Sequence, residues 1–307
     1  MSYATIGLLF ALAMLALWYA WRWFAIERDR APSRRWPGFG DAAIGFVTNF
    51  FDTLGIGSFA PTTALFKFQR RIRDEDIPGT LNAGHTLPTI AQALIFIAVV
   101  SVDWWTLVSM IAAAVLGAWL GVGIVARMPR RAIQVGMGAA LLAAALIFLV
   151  KGMNWMPSGG TALGLEGVRL ALAIAVNFLL GALMMLGVGL YAPCLILVSL
   201  LGMNPLAAFP IMMGSCAFLM PVGSARFVQA GRYDLRSALG LALGGIPGVL
   251  IAAFIVKSLP IEWIRWLVIV VVIYAGVQML LSAVNHSRDG ELSTTALPTD
   301  RPAKRME

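Results

Sequence analysis

Asp52 lies in a long apolar stretch, and a carboxylic acid in such a place is the first residue whose type calls for a chemical reason. Gly45, Asn49 and Asp52 follow i, i+4, i+7 spacing, which puts them on one helix face. Asn82, His85, Thr89 and Gln92, at i, i+3, i+7, i+10, also follow helical spacing and form a polar stripe in otherwise apolar sequence. An imidazole, with an ordinary pKa near 6.5, is suited to proton transfer. Each has a plainer reading: Asp52 as an acceptor at a helix end, and His85, near one end of its stretch, as a hydrated interfacial side chain. Arg226 follows Ser224 at the end of another apolar run, where it reads either as an interfacial anchor or as a guanidinium that attracts anions at a vestibule. Asp103 and Asp234 each precede an apolar run and read as N-caps. There is no HExxH, no nucleophilic serine with a His/Asp pairing and no pair of intramembrane aspartates, so the chain is not read as an enzyme. Cys194 and Cys216 sit in apolar sequence without CxxC or metal-ligand spacing and read as small buried hydrophobes, so no metal and no cofactor is expected.

The elements that must position these residues follow from composition. The 307 residues are 60% hydrophobic and 12% charged, whereas soluble domains run to about 45–50% and about 25%. Apolar stretches recur near the roughly 20 residues that an α-helix needs to cross a bilayer, without the short alternation of a barrel. The fold class is therefore an all-α integral membrane protein. Its net charge of +8 marks cytoplasmic loops rather than a nucleic-acid partner. The first apolar run has its arginines after it, not before it, the reverse of a cleavable signal peptide. Residues 1–26 are thus expected to stay as an anchor helix with the amino terminus outside, and 27–40 to form a basic cytoplasmic linker. Residues 284–307 are polar and carry Pro298 and Pro302, and are expected to make a disordered cytoplasmic tail.

The chain repeats itself. Leu54-Gly-Ile-Gly-Ser-Phe-Ala-Pro61 recurs as Leu186-Gly-Val-Gly-Leu-Tyr-Ala-Pro193, 132 positions later and identical at five of eight positions. Asp103, Gly117 and Pro129 are matched 131 residues later by Asp234, Gly248 and Pro260. Two homologous halves are expected at 41–150 and 169–283, joined by an external linker at 151–168. Each holds one broken stretch followed by three continuous ones, at 81–101, 105–126 and 131–150, then at 205–226, 237–257 and 261–284. If both broken stretches cross the membrane, the 23 Lys and Arg divide 14 inside to 9 outside. If both turn back as re-entrant hairpins, the division is 19 to 4, with only Lys151, Arg169, Lys257 and Arg265 outside. Positive residues stay inside, so the hairpin arrangement is favoured. Three crossings per half then invert the second half relative to the first. Trp18, Trp21, Trp23 and Trp36 fall at the proposed inner interface, and Trp104, Trp105, Trp155, Trp263 and Trp266 at the outer one.

Glycines in the broken segments permit backbone angles that other residues resist, and Pro61 or Pro193 suits the first turn of a new helix. Amides just before each proline lack helical partners, and an anion would satisfy them at the positive end of each half-helix. The expected anion contacts are Gly55, Gly57, Ser58, Phe59 and Ala60 in one half and Gly187, Gly189, Leu190, Tyr191 and Ala192 in the other. The plainer reading is a pair of kinks that allow close helix packing. Asp52, His85 and Asn49 are the candidate coupling residues; the counterparts of Gly45, Asn49 and Asp52 are Asn177, Gly181 and Met184, so only the first half carries the acid.

The duplicated LGIGSFAP and LGVGLYAP segments, each led by an apolar helix and followed by three spans, resemble the sulfite exporter TauE/SafE family over residues 41–283. The resemblance implies a secondary transporter of the bacterial inner membrane. Its cargo would be sulfite, organosulfonates or other small organic anions. A passive anion channel built on the same cradle is the alternative. The partners expected are the anionic substrate, the lipid bilayer and, as one option for assembly, a second copy of the chain in a homodimer.

Overall fold

Caps set the helix boundaries in the computed structural model, which describes residues 3–28, 36–69, 72–73, 76–121, 160–185 and 189–258, with single positions inside 135–146 and 263–281. Nine α-helices lie among the described residues: α1 (Tyr3–Arg28), α2 (Phe39–Thr53), α3 (Phe59–Gln69), α4 (Ile77–Val99), α5 (Trp104–Leu116), α6 (Gly167–Met185), α7 (Tyr191–Leu200), α8 (Ala208–Ala230) and α9 (Leu235–Ser258). A π turn, Gly117–Gly121, continues α5, and a 3₁₀ turn, Pro205–Ala207, leads into α8. Asp103 caps α5 by accepting from the Thr106 amide at 2.9 Å, and Asp234 caps α9 by accepting from Ser237 N–H at 2.7 Å. The only β pairing among these residues is a bridge between Ala162 and Met203.

α1, α4, α6, α8 with its 3₁₀ lead-in and α9 are long and apolar enough to cross a membrane. The chain is an integral membrane protein of the multi-pass kind. α4, α8 and α9 occupy the expected spans, and α5 with its π turn begins the span expected at 105–126. The spans expected at 131–150 and 261–284, most of the basic linker and the tail lie outside the described residues. α1 buries one stripe, Leu12, Tyr19 and Trp23, and presents Phe10, Leu17, Trp21 and Phe24 outward, as a peripheral helix in lipid must. Trp23 is buried against protein, and its indole N–H donates to Tyr233 Oη at 2.9 Å.

Each broken segment is a helix, a break and a second helix, α2 to α3 and α6 to α7. The leading helix of each packs chiefly on the other half: α2 lies on α9 and α6 on α5, while α4 lies against α8. Missing side chains make these approaches possible. A Cβ on Gly248 of α9 would run into the carbonyl oxygen of Phe46 on α2, and a Cβ on Gly117 would run into that of Phe178 on α6. Phe46 and Phe178 stand 132 residues apart and Gly117 and Gly248 stand 131 apart, so the repeat in sequence is also a repeat of contacts.

The bundle has two distinguishable ends. At one, Arg236 Nε lies 3.3 Å from Asp41 Oδ2, Asp234 N–H donates to Thr80 Oγ1 at 2.9 Å, and Tyr233 Oη donates to Glu27 at 2.7 Å. The starts of α2, α4 and α9 and the ends of α1 and α8 meet there. At the other, Asp103 N–H donates to Leu163 O and Asn204 N–H to Ala162 O, both at 2.8 Å, and Gly202 faces Arg169. The starts of α5 and α6 and the end of α7 meet there.

Candidate functional site

In the first break the chain leaves α2 through a C-cap turn. Gly55 takes φ +96°, its N–H donates to Asp52 O at 2.8 Å, and the Ile56 N–H reaches Phe51 O at 3.2 Å. That pairing is the Schellman motif, which a left-handed glycine makes accessible. The amides of Gly55 and Ile56 are therefore engaged by α2. Thr62 N–H donates to Ser58 O at 3.1 Å to start α3, and Pro61, which has no N–H, sits where a donor would lack a helical partner. In the second break the Cys194 N–H donates to Leu190 O at 3.0 Å, placing Tyr191, Ala192 and Pro193 in the first turn of α7. Gly187 lies outside the described residues. Gly57 is left-handed at φ +89° and Gly189 is not, yet a Cβ on either would meet no heavy atom within 4 Å. Both glycines thus border open space.

The polar residues of α2 and α4 form one connected arrangement. Gln92 Nε2 donates to Asp52 Oδ2 at 2.9 Å and to Thr53 Oγ1 at 3.0 Å, and its Oε1 accepts from Tyr191 Oη at 2.7 Å. These three bonds fix the orientation of the amide. They also join the acid of the first break to the first residue of α7, the helix that follows the second. His85 Nδ1 lies 3.1 Å from Asn49 Oδ1 and Nε2 lies 3.1 Å from Thr62 Oγ1, with the ring beside Phe59. Thr53 Oγ1 donates to the Asn49 carbonyl at 2.8 Å and thereby connects the two groups. Gly245 lets α9 approach, since a Cβ there would press on Asn49 and Pro88. Asp52, Asn49, His85, Thr89 and Gln92 are all buried, as are Ser58, Phe59, Leu190, Tyr191 and Ala192. His85 is fully buried, which corrects the hydrated interfacial reading: α3 folds back over the stripe and closes it off from the helix end.

The second half replaces this chemistry with sulfur and amide. Thr62, His85 and Asp52 correspond in the repeat to Cys194, Cys216 and Met184. Cys216 Sγ lies 3.2 Å from Met184 Sδ, and both thiols are buried. Asn177 donates to Met110 O at 2.7 Å and to Ser215 Oγ at 3.2 Å. Of the remaining candidates, Arg226 is exposed and apart from the breaks, while Asn82 bonds back to Pro78 O at 2.9 Å. Thr53 and Thr62 belong to the arrangement but were not singled out from the sequence. The signal for Thr62 was its place four residues after Ser58, directly behind Pro61. An open pocket of about 680 Å³ lies away from the breaks, lined by Asp103, Leu165, Glu166, Arg169 and Leu201 among others. Among the described residues no group of three His, Cys, Asp or Glu side chains could hold a metal ion.

A bundle of apolar helices around two discontinuous ones, with a buried acid between the breaks, defines a membrane protein of the transporter class. The family described as Sulfite exporter TauE/SafE matches residues 2–148 and 169–304, and the chain belongs to that family of membrane transporters. The match extends past the expected 41–283 to take in α1 and most of the tail. No curated protein and no solved structure matches the chain.

Proposed function

We propose that the chain is a secondary transporter of the bacterial inner membrane that exports small sulfur-containing anions such as sulfite or organosulfonates. The anion binds between the N-termini of α3 and α7 near mid-membrane, and Asp52 couples its movement to protons. One observation carries this reading: Asp52 of the first break and Tyr191, just after the second, meet on the same Gln92 amide, so the two breaks converge on one place. Helix N-termini with open space beside their glycines are suited to an anion because donors and dipole point the same way.

The halves act as inverted repeats of re-entrant hairpins. In support, α2 starts where α4 starts, α6 starts where α7 ends, and these lie at opposite ends of the bundle. The arginine-rich end faces the cytoplasm. Hairpins that open to opposite sides supply the two accesses that alternate around a single site.

Counterflow of labelled sulfite in proteoliposomes tests the reading, with Gly189→Val as the diagnostic variant. Gly189 is not left-handed and a Cβ there meets no heavy atom within 4 Å, so a side chain enters the open space where the anion would lie. Counterflow should fall at least tenfold while the protein remains inserted. Undiminished counterflow in this variant would leave the breaks as packing kinks. Gly57→Val is less diagnostic, because its φ of +89° adds backbone strain.

A further inference from the structure

We infer that the cargo crosses as a singly charged anion together with one proton on Asp52, so that the cycle moves no net charge; this rests on the carrier reading above. Asp52 is 3% exposed. Its carboxylate is met by Gln92 Nε2 at 2.9 Å and faced by the amide and hydroxyl of Ser58, all neutral donors. Both amide protons of Gln92 are engaged, by Asp52 and Thr53, so it has no donor left for an anion, and its oxygen accepts from Tyr191. No lysine or arginine whose side chain the structure describes is buried. The titratable groups around Asp52 are Tyr191 on α7 and Cys216 on α8 with Cys194 beside it, while His85 on α4 meets Asn49, one turn earlier on α2. The phenol and thiols can only be neutral or negative. Both nitrogens of His85 are already directed at Asn49 and Thr62 rather than at the carboxylate. On α9, Arg236 is paired with Asp41 at the helix start.

A site made of neutral dipoles tolerates one negative charge far better than two, because repulsion in a low-dielectric medium is weakly attenuated. Asp52 is that charge when the site is empty of anion. When a monoanion enters, the carboxylate takes a proton from water; one O–H bond forms, and the charge passes from protein to cargo. The protonated acid still accepts from Gln92 through its carbonyl oxygen and now has a hydroxyl to offer the anion. On the other side the anion leaves, the O–H bond breaks, and the proton goes to water. A doubly charged anion would leave the site with two charges even after protonation of Asp52, so the singly protonated form of sulfite and monovalent sulfonates are carried, and sulfate is not.

The test is performed on the full chain in proteoliposomes at equal pH inside and out, with labelled sulfite and with methanesulfonate. Counterflow establishes that the protein carries the anion, and a potassium diffusion potential then asks whether net charge moves. A potential of about 100 mV drives roughly fiftyfold accumulation of a singly charged flux. The parent and Asp52→Glu, which keeps the titrating group, should show none. In Asp52→Asn the counterflow that remains should acquire that voltage-driven accumulation, because its anion moves without a proton. His85→Gln is read for voltage dependence alone, and the counterflow it keeps should stay voltage-insensitive. Absence of counterflow in the parent overturns the carrier reading as well as this one. Counterflow with a voltage-driven parent overturns this inference alone, as does Asp52→Asn that is inserted but inert or voltage-insensitive, or His85→Gln that becomes voltage-driven.

Discussion

His85 contacts two elements that the sequence did not connect. Its ring bridges Asn49 on α2 and Thr62 on α3, so it holds the first hairpin against α4. Replacing it by Ala leaves the Asn49 oxygen buried without that partner, at a cost of about 1–3 kcal/mol. A lowered melting temperature of the detergent-solubilised protein checks this expectation. For Asp52 the proposed coupling makes the expected effect depend on pH. As pH rises the acid ionises and repels the incoming anion, so anion binding by the parent should weaken toward alkaline pH. Asp52→Asn keeps the shape and removes the titration. Its binding, measured by scintillation proximity with labelled sulfite, should vary less with pH, and a pH gradient should no longer drive accumulation. Full pH-driven accumulation in this variant would make Asp52 a structural acceptor.

Among the elements, the contact of α2 with α9 depends on glycine. A Cβ on Gly244 would run into the Ala42 carbonyl oxygen, and one on Gly240 into Asp41, so backbones approach where lipid supplies no hydrophobic drive to hold helices together. Gly244→Val is overpacking of a buried seam, and costs of about 1–3 kcal/mol or more are usual for it. A Cβ on Gly7 of α1 would meet no heavy atom within 4 Å, and Gly7→Val should be neutral. Size-exclusion profiles and melting of the two variants side by side separate these outcomes; equal behaviour would mean that the seam is not closely packed in the bilayer.

For the whole molecule, the arrangement of ends predicts accessibility. Gln69 ends α3 near the arginine-rich end, and Thr161 lies in the exposed segment that meets α5 at the opposite end. Cysteines placed singly at these positions, with both buried native thiols replaced, should react with a membrane-impermeant reagent from outside only at position 161. Outside labelling at Gln69 would mean that the first broken segment crosses and that the halves are parallel. The two homologous halves differ in chemistry although they share their packing: one brings Asp52, His85 and Thr62, the other Met184, Cys216 and Cys194. A pseudosymmetric scaffold with one titrating half suits a carrier in which a single proton site serves both accesses.

The membrane class, the duplication, the two glycine breaks and the lone acid were legible in the amino-acid order because they rest on local quantities. Apolar run length reports burial in lipid, glycine and proline report backbone freedom, and helical spacing reports a shared face. The polar stripe from Asn82 to Gln92 was visible for the same reason, since its period belongs to one helix. Its partners were not. That Gln92 receives Tyr191 from 99 residues away, or that Thr62 covers His85, depends on how α3 and α7 turn back and on which helices the glycines of α9 allow to touch. Gly55 shows the same division at a single residue: its type announced a break, but only the folded chain determined that its amide closes α2. Sequence specifies which groups must find partners out of water, and tertiary packing decides which partners they find.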